Sequence, residues 1–165
     1  MKHFIVIAFI FLISSSSFSQ KQLEKLLQKE NNGSIPYIHI RELVNSIDTI
    51  ILLDARARKE YNISHLKNAQ YIGYDFFNID TIIKLIPEKT SQIVVYCSLG
   101  IRSEDIAVKL KQAGYSDVKN LYGGIFEWKN QGHKVYNLKE IETDSIHTFS
   151  KAWSKWLKKG IKVYD

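Results

Sequence analysis

Short apolar runs alternate with amphipathic segments through the middle of the chain, and this alternation restricts the fold more than any other feature. Residues 92–96 (Gln-Ile-Val-Val-Tyr) are rich in β-branched side chains and predict a buried strand. Residues 49–53, which lead to Asp54, predict a second, while 102–113 predict a helix that ends at Gly114. Alternating strands and helices are typical of a parallel sheet covered by helices. We therefore expect an α/β fold, a small parallel β-sheet with helices on both faces.

The remaining patterns extend this alternation. They predict strands at 37–39, 69–73 and 118–121, and helices or helical turns at 20–32, around 43–44, at 60–62, 75–86 and 125–131. The helix at 75–86 would place Phe76 on its apolar face and end at Pro87. A chain of 165 residues that is 45% hydrophobic and 24% charged is typical of one globular domain with a sizeable core.

The single cysteine, Cys97, directly follows the strand at 92–96 and precedes the helix at 102–113. In open parallel sheets the ligand site lies beyond the carboxyl ends of the strands. Helix N–H groups and the helix dipole favour a thiolate at such a position, and Arg102 adds positive charge. We expect an anion-cradling loop around a reactive sulfur, formed by Ser98, Leu99, Gly100, Ile101, Arg102 and Ser103. The alternative is that Cys97 is a small buried hydrophobic residue.

Cysteine count and charge narrow the classes of partner. One cysteine excludes an internal disulfide, a cysteine-based metal cluster and an internal resolving thiol. The net charge of +6 is compatible with an anionic small substrate. No nucleic-acid recognition motif accompanies it, so we expect no nucleic-acid partner and no metal or organic cofactor.

Residues 1–19 predict a secretory signal peptide. Lys2 begins a short basic start, 4–13 form an apolar core, and small residues at Ser17 and Ser19 precede the expected cleavage before Gln20. The alternative is a retained membrane anchor, but an apolar run of about ten residues is shorter than a span requires. We expect export to the periplasm or the medium, without stable membrane insertion after cleavage.

The sequence after residue 135 predicts a C-terminal extension. Residues 148–159 predict an amphipathic helix with aromatic and lysine faces, which suits packing on the domain or, alternatively, binding to a membrane surface. Residues 128–137 are echoed at 156–165, which suggests a helix-turn-strand unit used twice. The expected organisation is a signal peptide (1–19), an N-terminal helical segment (20–35), a main domain (36–135) and this extension (136–165).

Four segments, in order, resemble the rhodanese (sulfurtransferase) family. They are Leu52-Leu53-Asp54-Ala55-Arg56, Glu60-Tyr61 with His65-Leu66-Lys67-Asn68-Ala69, the loop Cys97–Ser103, and Leu121-Tyr122-Gly123-Gly124 through Trp128. The resemblance implies a rhodanese-like fold and a sulfurtransferase in which Cys97 carries the sulfur.

The resemblance also implies roles for residues outside the loop. Asp54 and Arg56 would form an ion pair that fixes the neighbouring loops, and His65 would serve packing and hydrogen bonding. Arg58 would lie near the mouth of the site and attract substrate. Ser64 stands where the family has glycine, so the backbone conformation at this turn is left open.

The expected reaction transfers sulfur from an anionic donor such as thiosulfate to a cyanide or thiol acceptor through a persulfide on Cys97, in two steps. A sulfur-carrier or binding module with little turnover is the alternative. A cysteine-based phosphatase or arsenate reductase is disfavoured, because those enzymes have five residues between cysteine and arginine. Here four separate Cys97 from Arg102.

Overall fold

The computed structural model describes residues 20–165, and the signal peptide predicted at 1–19 lies outside them. Helix α1 (residues 20–30) falls within the predicted N-terminal helical segment and belongs to a unit separate from residues 34–165. No helix within the described range is both long and apolar enough to cross a membrane.

A five-stranded sheet is the centre of the unit formed by residues 34–165. Its strands are β1 (Tyr37–Ile38), β2 (Ile51–Asp54), β3 (Gln70–Tyr71), β4 (Gln92–Tyr96) and β5 (Asp117–Leu121), in the order β1-β5-β4-β2-β3. All pairings are parallel, and Ile93 of β4 pairs with Ile51 on one side and Val118 on the other. The carboxyl ends of the strands therefore lie at one edge, where Cys97 follows β4.

Helices connect and cover these strands. They are α2 (Ile40–Ser46), α3 (Arg58–Ile63), α4 (Ile79–Leu85), α5 (Arg102–Gln112) and α6 (Gly124–Asn130). Ile93 and Val95 join Ile82 of α4 and Ile106 of α5 in one hydrophobic cluster. Side chains alternate along a strand, so the buried Val94 faces the opposite side of the sheet. Burial on both faces is typical of parallel sheets, and the predicted α/β fold is confirmed.

Helix α4 begins later than predicted. The Oδ1 atom of Asn78 accepts a hydrogen bond from the N–H of Thr81 at 3.1 Å and caps the helix, which starts at Ile79. Phe76 thus lies in a turn before the helix and is 95% exposed, so its predicted place on the apolar face was wrong.

The amphipathic helix predicted at 148–159, and with it the helical character of the C-terminal extension, was wrong. This segment contains a single turn of 3₁₀ helix, Ser154–Trp156. The N–H groups of Lys158 and Lys159 donate to Oδ1 of Asn130 in α6, at 2.6 and 3.2 Å. Because these backbone groups bond to another element, apolar spacing of helical period does not produce a helix here.

Two small sheets complete the C-terminal region. β6 (Val135–Tyr136) pairs with β7 (Glu142–Thr143) in antiparallel orientation, and β8 (Ser145–His147) pairs in parallel with β9 (Ile161–Val163). The predicted repeat corresponds to two helix-turn-strand units, although the second helical part is the 3₁₀ turn. In both, a glycine with positive φ, Gly132 (+90°) or Gly160 (+98°), leads into the strand.

Candidate active site

Cys97 lies at the first position after β4, where the chain leaves the centre of the sheet. The residue is 2% exposed, and the N–H of Gly100 donates a hydrogen bond to its Sγ atom at 3.1 Å. Gly100 has a φ of +104°, a conformation that residues with a Cβ rarely adopt, so glycine allows the loop to turn its N–H toward the sulfur. Gly100, one of the residues of the predicted loop, therefore places its N–H on the sulfur.

The surroundings of Cys97 favour its thiolate. Burial alone raises the pKa of the thiol, because a charged sulfur loses its hydration. The charge of Arg102 and hydrogen bonds from Ser103 and Gly100 act in the opposite direction, and together they hold the pKa of Cys97 below its ordinary value. A lowered pKa favours the thiolate over the thiol, and the thiolate is the nucleophilic form of cysteine.

Arg102, the first residue of α5, forms an ion pair with a carboxylate that was not among the predicted site residues. Its Nη1 and Nη2 atoms donate to Oε2 and Oε1 of Glu60 at 2.7 and 2.9 Å. Burial raises the pKa of Glu60, but hydrogen bonds and charge from Arg102 outweigh it and lower the pKa overall. The Ser98 hydroxyl also donates to Glu60 at 2.9 Å, so this carboxylate ties α3 to both ends of the cysteine loop.

Asn120 of β5 is a second residue that the sequence analysis missed. It is fully buried, and its Nδ2 donates to the carbonyl of Gly100 at 2.8 Å and to Oε2 of Glu104 at 3.1 Å. Its Oδ1 accepts from the Ser103 hydroxyl at 2.7 Å. Asn120 therefore holds the loop on the side of β5. Ser103 lies within the first turn of α5, whose N-cap position is Ile101 and has no side-chain cap.

The amino end of α6 packs directly on the cysteine loop. The N–H groups of Ile125 and Phe126 donate to the carbonyls of Cys97 and Ser98 at 2.9 and 3.2 Å. A Cβ added at Gly124 would lie 2.3 Å from the Cys97 carbonyl oxygen, so only glycine permits this approach. The Gly-Gly pair that helped to suggest the family thus has a direct contact with the site.

Asp54 and Arg56 form the expected ion pair beside the site. Both side chains are fully buried, and Nε and Nη2 of Arg56 donate to the Asp54 carboxylate at 3.0 and 2.7 Å. Nη2 also donates to the Ser64 carbonyl at 2.5 Å. Ser64 has an extended backbone (φ −167°), so the turn does not require glycine in this protein.

His65 lies outside the cysteine loop and contacts protein groups. Its ring stacks on Tyr61 with centroids 4.1 Å apart, and its Nδ1 lies 3.2 Å from the Tyr61 carbonyl oxygen. Its backbone pairs with that of Tyr136. These contacts are of the packing and hydrogen-bonding kind that the resemblance implied.

Arg58 is exposed, and its guanidinium carbon lies 3.4 Å from the centre of the Tyr71 ring. It does not line the pocket next to Cys97. Its role in attracting substrate stays a prediction.

A pocket of about 150 Å³ opens over Cys97. Its described lining consists of Cys97, Ser98, Leu99, Ile101, Arg102, Phe149 and Trp153. Five of these belong to the predicted loop. Phe149 and Trp153 come from the C-terminal extension. The amphipathic helix predicted at 148–159 places aromatic residues on one face, and this pattern does not indicate a position at the Cys97 pocket.

Comparison with known proteins identifies the family of this chain. The family model for the rhodanese-like domain matches residues 39–131. The chain therefore belongs to the rhodanese-like domain family, and the resemblance found in the sequence is confirmed.

Curated relatives contain this domain within longer chains. A probable adenylyltransferase/sulfurtransferase MoeZ of Mycobacterium tuberculosis is 30% identical over 121 residues, which cover 73% of this chain and 30% of the relative. A tRNA uridine(34) hydroxylase of Listeria welshimeri is 39% identical over 100 residues, which cover 57% of this chain and 30% of the relative. The chain thus matches less than a third of the length of either protein.

Solved structures share the fold. The BH2092 protein of Bacillus halodurans has a TM-score of 0.56 and 26% identity, covering 72% of this chain and 85% of that one. A thiosulfate sulfurtransferase of Pseudomonas aeruginosa has a TM-score of 0.59 and 20% identity, covering 84% of this chain and 26% of that one. At 20% identity the second likeness concerns the fold alone.

Proposed function

We propose that this protein is an exported sulfurtransferase that carries sulfane sulfur as a persulfide on Cys97. The observation that carries the proposal is the buried Cys97 thiol in the lining of a pocket, with its pKa lowered and a Gly100 N–H on the sulfur. The family includes relatives named as sulfurtransferases, which supports the same chemistry.

In the first step, the Cys97 thiolate attacks the outer sulfur of a donor such as thiosulfate. A new S–S bond forms to Cys97, and the S–S bond of thiosulfate breaks with its electron pair leaving on sulfite. The N–H of Gly100, now 3.1 Å from Sγ, stabilises negative charge at this position. In the second step cyanide or a thiolate attacks the outer sulfur and regenerates the thiolate of Cys97.

Arg102 has a positioning role in this scheme. Its bidentate pair with Glu60 holds the amino end of α5 next to the loop. Its charge still lowers the pKa of the Cys97 thiol. Arg102 therefore assists ionisation while its hydrogen bonds serve the structure of the loop.

Intact mass spectrometry tests the persulfide directly. Incubation with thiosulfate is expected to add one sulfur atom, roughly 32 Da, and cyanide is expected to remove it. Cys97→Ser is the control and should gain nothing. No gain in the wild type, with Cys97 still open to alkylation, would contradict the thiosulfate reaction. Rapid loading with very slow release to small acceptors would favour the sulfur-carrier alternative.

Export rests on residues 1–19 of the sequence and has its own test. Expression of the full chain in a bacterial host is expected to give a periplasmic product that begins at Gln20, as determined from its mass. A variant without residues 2–19 is the control and should stay in the cytoplasm. A full-length product in the cytoplasm would contradict export.

A further inference from the structure

The C-terminal extension contributes part of the wall of the Cys97 pocket. Phe149 and Trp153 line it together with Leu99 and Ile101 of the loop. The Phe149 ring lies 4.8 Å from the guanidinium carbon of Arg102, which is cation–π distance. The two aromatic rings meet edge to face, with centroids 6.4 Å apart. The extension thus reaches the site where sulfur would be transferred.

Phe149 is held at the pocket in an unfavourable backbone conformation. Its φ is +63°, and the N–H of Ser150 bonds to the Thr148 carbonyl at 2.7 Å to close a tight turn around it. A bulky side chain rarely occupies this region, and such strain persists where the surrounding structure enforces it, often at functional sites.

Hydrogen bonds around His147 enforce the turn. The Phe149 N–H donates to Nδ1 of His147 at 3.1 Å, so Nδ1 is the acceptor nitrogen of that ring. Nε2 then carries the proton and donates to Asp165 at 3.1 Å. Asp165 also pairs with Lys59 of α3. The strained residue is therefore tied to the main domain.

The pocket is chemically suited to an apolar group. Arg102 is the one cation in its described lining, and Glu60 compensates that charge through two hydrogen bonds. Leu99, Ile101 and the two aromatic residues supply apolar surface. A volume of about 150 Å³ is that of apolar cavities that take up benzene, so one aromatic ring fits.

We propose that Phe149 and Trp153 select a sulfur acceptor that is a small thiol bearing an aromatic or similarly bulky apolar group. This inference rests on the proposed persulfide chemistry of Cys97. The acceptor thiolate attacks the outer sulfur of the persulfide, and a new S–S bond forms to the acceptor. The bond between Cys97 Sγ and the outer sulfur breaks, and its electron pair stays on Sγ, which regenerates the Cys97 thiolate. The acceptor leaves as an organic persulfide, with no external oxidant or reductant.

The test compares two alkyl thiols on protein already loaded with sulfur. Cys97 is loaded with thiosulfate or inorganic polysulfide, and the loaded fraction is measured by intact mass. Second-order transfer rates to 2-phenylethanethiol and to 2-mercaptoethanol are then measured and corrected for the thiolate fraction of each. The wild type is expected to prefer the phenyl thiol by at least about tenfold, since apolar contacts in a pocket discriminate on this scale.

Phe149→Gly is the informative variant, because glycine accepts a positive φ and the change removes the ring while the turn can remain. Its preference is expected to fall to about threefold or less. Phe76→Gly is the matched control. Phe76 is 95% exposed and outside the pocket lining, so this variant should keep the wild-type preference.

The outcomes separate the two proposals. Failure of Cys97 to load from either donor overturns the proposed function, and with it this inference. Loading followed by equal transfer to both thiols overturns the inference alone. A preference that is the same in Phe149→Gly and wild type, with circular dichroism showing that both are folded, removes the selecting role of Phe149.

Discussion

Replacing Gly124 with alanine inserts a methyl group into the contact between α6 and the cysteine loop. The new Cβ would lie 2.3 Å from the carbonyl oxygen of Cys97 and 2.8 Å from the carbonyl carbon of Ser98. Real Cβ atoms essentially never approach other atoms closer than 3.0 Å, and ordinary contact begins at 3.4 Å. Both neighbours are backbone atoms that cannot rotate aside, so the loop and α6 must separate by roughly 1 Å.

The expected losses follow from this separation. Alanine at a φ of +54° costs about 1–2 kcal/mol relative to glycine. Weakening the hydrogen bonds from Ile125 and Phe126 to the loop costs about 1 kcal/mol each. We therefore expect the free energy of unfolding to fall by about 3–4 kcal/mol. A reacting sulfur displaced by 1 Å is expected to slow transfer by about 100-fold.

Two measurements test this expectation: urea unfolding, and the rate at which thiosulfate loads Cys97, followed by stopped flow. Gly114→Ala is the matched control, since Gly114 also has a positive φ (+94°) but nothing lies within 4 Å of an added Cβ. It should lose only the backbone contribution to stability and keep the loading rate. If Gly124→Ala loads Cys97 within about threefold of Gly114→Ala, α6 does not position the loop and the reasoning is refuted.

Three further predictions concern the groups around the loop. Arg102→Met should lower the free energy of unfolding by about 3–5 kcal/mol, because it leaves the buried charge of Glu60 unpaired. It should also raise the pKa of the Cys97 thiol, and an alkylation profile that does not move to higher pH would contradict the assigned role. The pKa of Glu60 is lowered in the folded protein, so its ionised carboxylate stabilises the fold. This stabilisation should be complete above the ordinary glutamate pKa of about 4.3 and should disappear as pH falls through the lower pKa that Glu60 has in the folded protein. Urea unfolding between about pH 6 and pH 3 should show this decline, and Glu60→Gln should show a smaller one. Asn120→Ala should lower the free energy of unfolding by about 1–3 kcal/mol and slow the loading of Cys97, because the Gly100 carbonyl and the Ser103 hydroxyl lose their hydrogen-bond partner. An Asn120→Ala variant that unfolds and loads sulfur as the wild type does would refute this prediction.

The main fold was predictable because its determinants are local in sequence. Strand β4 is apolar on both faces, and α5 has apolar spacing and a glycine stop, so each pattern has one favourable structure. The failures occurred where a side chain or a distant element changed the outcome. Asn78 caps α4, which begins at Ile79, four residues after the predicted start, and Asn130 binds the backbone of 158–159 in place of helical hydrogen bonds.

In the candidate site, too, the residues that are adjacent in sequence could be predicted and those that are distant in sequence could not. Cys97 and the loop from Ser98 to Ser103 are contiguous, so their arrangement at a strand end could be anticipated. Glu60 is 42 residues from Arg102, and Asn120 is 20 residues from Gly100. A glutamate in a short helix and an asparagine in a short strand carry no local pattern that reveals such partners. Only the topology, which places β5 and α3 next to the end of β4, brings them to the loop.

The residues that line the Cys97 pocket lie partly inside and partly outside the region shared with the family. The family match ends at residue 131, so it includes Cys97 and the groups that favour its thiolate. Phe149 and Trp153 lie beyond it, yet both line the pocket. The proposed sulfur transfer on Cys97 therefore depends on the shared domain, whereas the proposed choice of acceptor depends on the extension. Exchange of the extension should accordingly alter the choice of acceptor more than the loading of Cys97.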